Sequence, residues 1–230
     1  ADIIRVVSKS LAKEVKKLGI SSKKIVYAPQ RVDIYQFNPN IDKNLARQLT
    51  CLGRKDRVVV FVGSLVPVKG IQYLIQSLPH VIKEIPNVKL LIIGDGPCKD
   101  ELMHLVERAG ISKFVLFQGR VPHSKIPLFL ASSEMLVLPS VSEGMPRVIL
   151  EAMACGCPVI TSNVFSMPEV AGNAAILVNP HRIEEIAEAM HAILSDENLR
   201  RKLKRKGLRR VKRFSWKRCA REHLKIYKMV

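Results

Sequence analysis

No run of 18 or more apolar residues occurs in this chain, so no segment is suited to cross a bilayer as a helix. Cysteine is scarce: five Cys, an odd number at irregular spacing, argue against a disulfide framework and for a reducing, cytoplasmic compartment. Cys155 and Cys157 stand one residue apart with no His at ligand spacing, and no two of the six His lie at i, i+4, so no metal ligand is expected. The loop Gly63–Gly70 has no Gly-Lys-Ser/Thr, which disfavours P-loop NTP hydrolysis, and no Gly-x-Ser-x-Gly exists to make a serine hydrolase. Gly94-Asp95-Gly96 lacks the third glycine of a dinucleotide fingerprint and reads as a tight βα turn. Aromatics make up 5% of the chain, and Phe214, Trp216 and Tyr227 in its basic tail read as packing residues. Base stacking is therefore poorly supported, and no specific nucleic acid is expected. The start, ADIIRVVSKS, has neither an initiator Met nor a secretory pattern, and the expectation is a fragment of a longer protein.

What is present is enough for one sizeable α/β domain with something attached: 230 residues, 47% hydrophobic. The net charge is +18 and uneven. From Arg200 to Lys228 fifteen Lys/Arg face one acid, Glu222, a net +14 on one segment. Such a block marks an anionic partner: nucleic acid, an acidic membrane surface or another domain.

The apolar runs set the architecture. Asp2–Val7 and Ile25–Ala28 read as short strands, with a Ser8-capped helix Lys9–Leu18 between them. Arg31–Pro39 reads as loop and Ile41–Leu52 as weakly helical. From Val58 a regular alternation begins, with strands Val58–Gly63, Asn87–Gly94, Phe114–Gly119, Glu134–Pro139, Cys157–Thr161 and Ala174–Val178. The helices between are a Gly70-led one, Lys99–Ala109, a short one interrupted at Pro127, and one opening at Pro146. The remainder reads as helices Ile183–Leu194, Asn198–Lys212 and a Ser215-capped Trp216–Tyr227. Short, uniformly apolar strands alternating with helices imply a Rossmann-like, doubly wound parallel sheet with helices on both faces. Ligands of such sheets bind outside the carboxyl ends of the strands. The unusual loops all lie there: Gly63–Gly70, Gly94–Pro97, Gly119–Pro122 and Ser140–Arg147.

The stretch Ser142–Thr161, SEGMPRVILEAMACGCPVIT, holds two carboxylates, Glu143 and Glu151, with seven residues between them. Pro146 suits a first-turn position, since its missing N–H has no acceptor there. Glu143 then lies in a loop at a helix N-terminus and Glu151 about two turns in. The amides of Met145, Arg147 and Val148 are candidates to point unpaired at an anion, which the helix dipole favours. An ordinary helix cap with a surface Glu would give the same pattern. Lys69 is the single cation of Gly63–Gly70, able to hold a phosphate as a point charge or to be merely solvated. Two carboxylates also suggest a glycosidase, but Glu151 should lie too deep to flank one bond with Glu143.

Together IVYAPQRVD, FVGSLVPVKG, LLIIGDGP, FQGRVP, MLVLPSVSEGMPRVILEAMACGCPVITS and FSWKRCAREHLKIY resemble the retaining GT-B glycosyltransferases of family 4, the glycosyl transferases group 1. The resemblance covers essentially the whole chain but only the C-terminal half of such an enzyme. It implies that residues 1–50 are the tail of an acceptor domain and a hinge, 51–212 the donor domain, and 213–230 a helix returning toward the acceptor domain. It implies, residue by residue, that Glu143 contacts donor-sugar hydroxyls, that the backbone of Gly144, Met145 and Pro146 lines sugar and phosphate, and that Arg147 and Val148 present N–H groups to the diphosphate. Glu151 would hold the ribose hydroxyls, Lys69 would pair with the diphosphate, and Arg120 and Val121 would bracket the nucleobase. The implied catalytic pair is Glu143 and Lys69. The donor would be a UDP-, GDP- or ADP-linked sugar, with no cofactor and no metal. The acceptor would be a sugar or a lipid-linked molecule held by the absent domain, with an anionic membrane surface as a further partner and a peripheral location at its cytoplasmic face.

Three departures bear on donor identity and catalytic strength: Ser64 where many members carry Arg, Met145 for the commoner Phe, and Gln30-Arg31 for Asn-Gly. Ser64 offers a hydroxyl without charge, and Arg147 or Arg120 could replace the missing cation. Two other functions stay open: a non-catalytic basic module binding nucleic acid or membrane on a degenerate scaffold, and a GT-B nucleotide-sugar epimerase.

Overall fold

A computed structural model describes residues 2–50, 52–53 and 55–228, so Cys51, inside the expected helix Ile41–Leu52, lies outside the described residues. Six apolar runs form one parallel sheet: β3 (Arg57–Val62), β4 (Val88–Ile93), β5 (Val115–Gly119), β6 (Met135–Leu138), β7 (Val159–Ser162) and β8 (Ile176–Val178). Their spatial order is β5-β4-β3-β6-β7-β8. The chain therefore starts at the centre with β3, steps outward to β5, crosses back to β6 and steps outward the other way. The reversal leaves a crevice where β3 and β6 lie side by side.

Strands this apolar need cover on both faces, and helices supply it. On one side α3 (Ile71–Glu84), α4 (Lys99–Arg108) and α8 (Ile183–Ser195) pack together. On the other lie α2 (Lys43–Leu49), α5 (Ile126–Ser132), α6 (Arg147–Ala154) and α9 (Glu197–Val211). Every residue of β6 and β7 is buried. Val32 and Phe37, from the loop before α2, belong to the same core. The chain's first strands, β1 (Ile4–Val6) and β2 (Ile25–Tyr27), form a separate parallel pair around α1 (Lys9–Lys17).

Helix starts follow their caps. Ser8, Asp42, Asp196 and Ser215 each accept a main-chain N–H three residues on. Asp196 thereby starts α9 at Glu197, one residue before the expected Asn198. Pro127 does not interrupt a helix as expected; it occupies the first turn of α5, where proline is tolerated. The packing role expected of Trp216 and Tyr227 is also overturned. On α10 (Trp216–Tyr227) both are exposed, Trp216 lying under the Arg31 guanidinium at 3.6 Å, and only Phe214 of the three is buried. A short α7 (Met167–Ala171), not expected from the sequence pattern, follows β7.

At the amino ends of the strands, Glu134 gathers four cations. Lys43 lies 2.8 Å from its carboxylate, Arg47 3.5 Å, and Arg57 and Arg200 3.9 Å. Burial alone would raise the Glu134 pKa, but the Lys43 hydrogen bond and the surrounding positive charge outweigh it and hold the carboxyl below its ordinary value. Arg47 also spends its guanidinium on the carbonyls of Ser132, Gly53 and Asp56.

Candidate functional site

The crevice between β3 and β6 is built by loops stitched through their backbones. Gly70 sits at φ +68, and a Cβ there would lie 2.1 Å from the Pro139 carbonyl oxygen, so the loop after β3 crosses directly over the end of β6. Val141 N–H donates to Val68 O at 2.8 Å, joining the same two loops. Gly94, at φ +140, lets the loop after β4 approach equally close, since a Cβ would fall 1.8 Å from Gly63 O. Gly94 N–H in turn reaches Gly119 O at 2.9 Å. All four loops singled out in the sequence thus meet along one edge.

Two side-chain pairs occupy that edge. Lys69 Nζ donates to Glu143 Oε1 at 2.5 Å, with Glu143 13% exposed, and Ser140 Oγ donates to the same oxygen at 3.1 Å. Glu143 lies four positions before Arg147, in the loop that runs into α6, so the pair ties that loop to the one after β3. Ser166 Oγ donates to Glu143 O at 2.7 Å, and Ser162 Oγ to Ser140 O at 2.6 Å, clamping the loop from the end of β7. Phe165, beside Ser166, adopts φ +50, a conformation uncommon for a side-chain-bearing residue. Glu151, buried on α6, forms the second pair: its Oε1 lies 3.0 Å from His123 Nε2. The imidazole rests against Phe37 with centroids 5.1 Å apart, and Gln36 Nε2 donates to His123 O at 3.1 Å.

Helix α6 opens without a side-chain cap, because Pro146 offers none. Ile149 N–H turns back to Pro146 O at 3.3 Å, whereas the amides of Arg147 and Val148 find no acceptor among the described residues. The exposed Arg147 side chain likewise makes no ion pair or hydrogen bond with them. The opening of α6 thus carries two amides without an acceptor among the described residues and the exposed Arg147 side chain, and Lys69 is tied to the loop before it through Glu143. All favour an anion.

The remaining expected residues flank this centre. Ser64 is exposed on the first loop. Arg120 is exposed and lies 3.9 Å from Asp95, a loose pair, while Val121 packs against the core. Gly144 is exposed, with Val7 3.8 Å from where its Cβ would be, and Met145 is buried, its sulfur accepting from Gln30 N–H at 3.2 Å. Cys155 and Cys157 are buried at the far end of α6, and burial pushes the Cys155 thiol up to about 12. The sequence pattern does not single out Ser162, Ser166 or His123 as site residues, whereas Ser140 opens a loop that it does; all four lie at or just beyond the carboxyl ends of strands.

Residues 42–210 match the family described as Glycosyl transferases group 1. The chain is 34% identical over 173 residues to the O-antigen chain mannosyltransferase B of Escherichia coli, covering 74% of this chain and 45% of that protein. It is 30% identical to the GDP-mannose-dependent alpha-(1-6)-phosphatidylinositol monomannoside mannosyltransferase of Mycolicibacterium smegmatis, covering 85% of this chain and 54% of that one. The sucrose-phosphate synthase from Thermosynechococcus elongatus superposes with a TM-score of 0.88 at 26% identity, over 99% of this chain and 58% of its own. The chain spans about half the length of the curated relatives it matches.

Proposed function

We infer that this chain, which belongs to the glycosyl transferases group 1 family, is the donor-binding half of a retaining, family 4 GT-B glycosyltransferase. The observation that carries the reading is the Lys69–Glu143 pair on the loop that runs into the uncapped start of α6, at the strand-order reversal.

A nucleoside diphosphate sugar would lay its diphosphate across the amides of Arg147 and Val148. Lys69 would exchange one Glu143 oxygen for a phosphate oxygen, releasing Glu143 to accept from donor-sugar hydroxyls. Glu151, steadied by His123, would accept from the ribose hydroxyls, with Arg120 and Val121 bracketing the base. The reaction breaks the bond between the anomeric carbon and the β-phosphate oxygen, whose electron pair stays on phosphate. The acceptor oxygen forms the new bond on the same face and passes its proton to the departing phosphate. Charge grows on the diphosphate as the bond lengthens, and fixed N–H groups with two cations are matched to that charge. Arg147 would supply the second cation that Ser64 does not. This set performs the charge stabilisation that a divalent ion performs in other transferases. The acceptor, a sugar or lipid-linked molecule, would be held by a domain outside this chain, so the chain alone is expected to bind donor and turn over little.

Titration calorimetry with UDP, GDP and ADP tests the reading. Binding to at least one of them, weakened by Lys69→Ala, is expected; absence of binding to all three, with salt-dependent binding to DNA instead, would favour a basic scaffold without transferase function.

A further inference from the structure

The charge of this protein divides sharply. Residues 25–196 carry sixteen Lys/Arg and sixteen Asp/Glu, so the sheet and its loops are neutral. The whole excess of +18 lies outside them: seven cations against two acids over residues 1–24, and fifteen against two over 197–230. Nothing in the donor-binding reading calls for that excess.

Helix α9 shows how it is displayed. Leu203, Gly207 and Val211 are buried, and Gly207 lets the helix lie against Met153 of α6. Arg200 turns inward to the carbonyls of Ile193 and Leu194, and Arg210 to those of Val170 and Glu169. The opposite face carries Arg201, Arg205, Arg209 and Lys212 around half-buried Leu208, at helical spacings that align them in one ridge, with Lys204 on its flank, its stem over Gly156. Arg201 pairs with Glu197, and the other four cations have no hydrogen bond or ion pair among the described residues. A solvated helix gains nothing from unopposed like charges one turn apart, which repel.

We propose that this ridge of α9 docks on an anionic lipid surface. Four to eight Lys/Arg on one amphipathic helix, with aliphatic stems and a leucine among them, match a negatively charged headgroup layer. A nucleic-acid partner is less well served, because no aromatic side chain interrupts the ridge to stack a base. The docking requires no part of the transferase reading. If both hold, Arg210 fastens the carboxyl end of α9 to α7, next to the Ser166 clamp on the Glu143 loop, so the lipid surface would flank the site.

The test is co-sedimentation of the 230-residue chain with vesicles of phosphatidylcholine, with and without phosphatidylglycerol, at low and physiological salt. Binding only to the phosphatidylglycerol vesicles, falling as salt rises, is expected. Each lost cation should weaken it about fivefold, so Arg205→Gln/Arg209→Gln should bind about 30-fold more weakly, and Arg205→Glu/Arg209→Glu more weakly still. Lys83→Glu/Lys113→Glu, exposed positions of the neutral region, makes the same net-charge change as the second pair and should stay within about threefold of wild type. Thermal melts of all variants check that each is folded. Equal loss from the two Glu pairs, equal binding to pure phosphatidylcholine, or displacement of the chain from vesicles by duplex DNA at physiological salt would each overturn the proposal.

Discussion

Glu134 and Glu143 are equally sheltered, each with a side chain 13% exposed, and both are bound to lysine, yet they sit at opposite ends of the same sheet. At the amino edge Glu134 is ringed by Lys43, Arg47, Arg57 and Arg200, and its cations hold carbonyls as well. That cluster is largely paired within itself, with Arg57 Nε the buried side-chain nitrogen left without a hydrogen bond among the described residues. At the carboxyl edge Glu143 holds Lys69, and the amides of Arg147 and Val148 and the Arg147 side chain have no partner among the described residues. The same chemistry is closed at one end and open at the other. Openness toward an anion, more than the presence of charge, separates a binding edge from a structural one.

Removing the closed partner should hurt stability most. Glu134→Gln strands four neighbouring cations, and a loss of about 3 kcal/mol is expected in urea unfolding, with nucleotide affinity unchanged. Because its folded pKa lies below the unfolded value of 4.5, Glu134 binds fewer protons folded than unfolded. Its stabilising contribution is therefore present above pH 4.5 and is lost as pH falls through the folded value. Between neutral pH and pH 4 and below, wild type should lose more stability than Glu134→Gln; parallel acid profiles would show that the cluster is not what the carboxylate's low pKa reflects.

The open edge should respond in the reverse manner. Lys69→Ala removes a charge-assisted contact to phosphate and should weaken nucleoside diphosphate binding about 30-fold, at a cost to folding below about 1 kcal/mol. A variant that lost stability and kept its affinity would merge the two edges into one structural role. His123→Ala is the finer probe: it leaves Glu151 without its neighbour, and loss of that hydrogen bond should weaken nucleotide binding about fivefold in calorimetry.

The sheet is legible because its inner strands, β3, β4, β6 and β7, are covered on both faces and so written as unbroken apolar runs, as in VVVFVG and LLIIG. The strand order could not be read from such runs, since every one of them would pair with any other; only the crossover through α5 defines it. Lys69 and Glu143 were each picked out by the loops they occupy, but their contact joins positions 74 apart. His123 has no neighbour at ligand spacing in the sequence, a criterion blind to Glu151 on another element. The residue type of Trp216 suggests packing, whereas the side chain over it is a guanidinium.

If the open end of α6 receives a diphosphate, amide chemical shifts report it directly. Adding the nucleoside diphosphate that binds tightest to the nitrogen-15-labelled chain should shift the Arg147 and Val148 amides most, with Gly63–Gly70 following. Shifts centred on Glu134 and Arg200, or spread along α9 with Arg147 and Val148 unmoved, would contradict it.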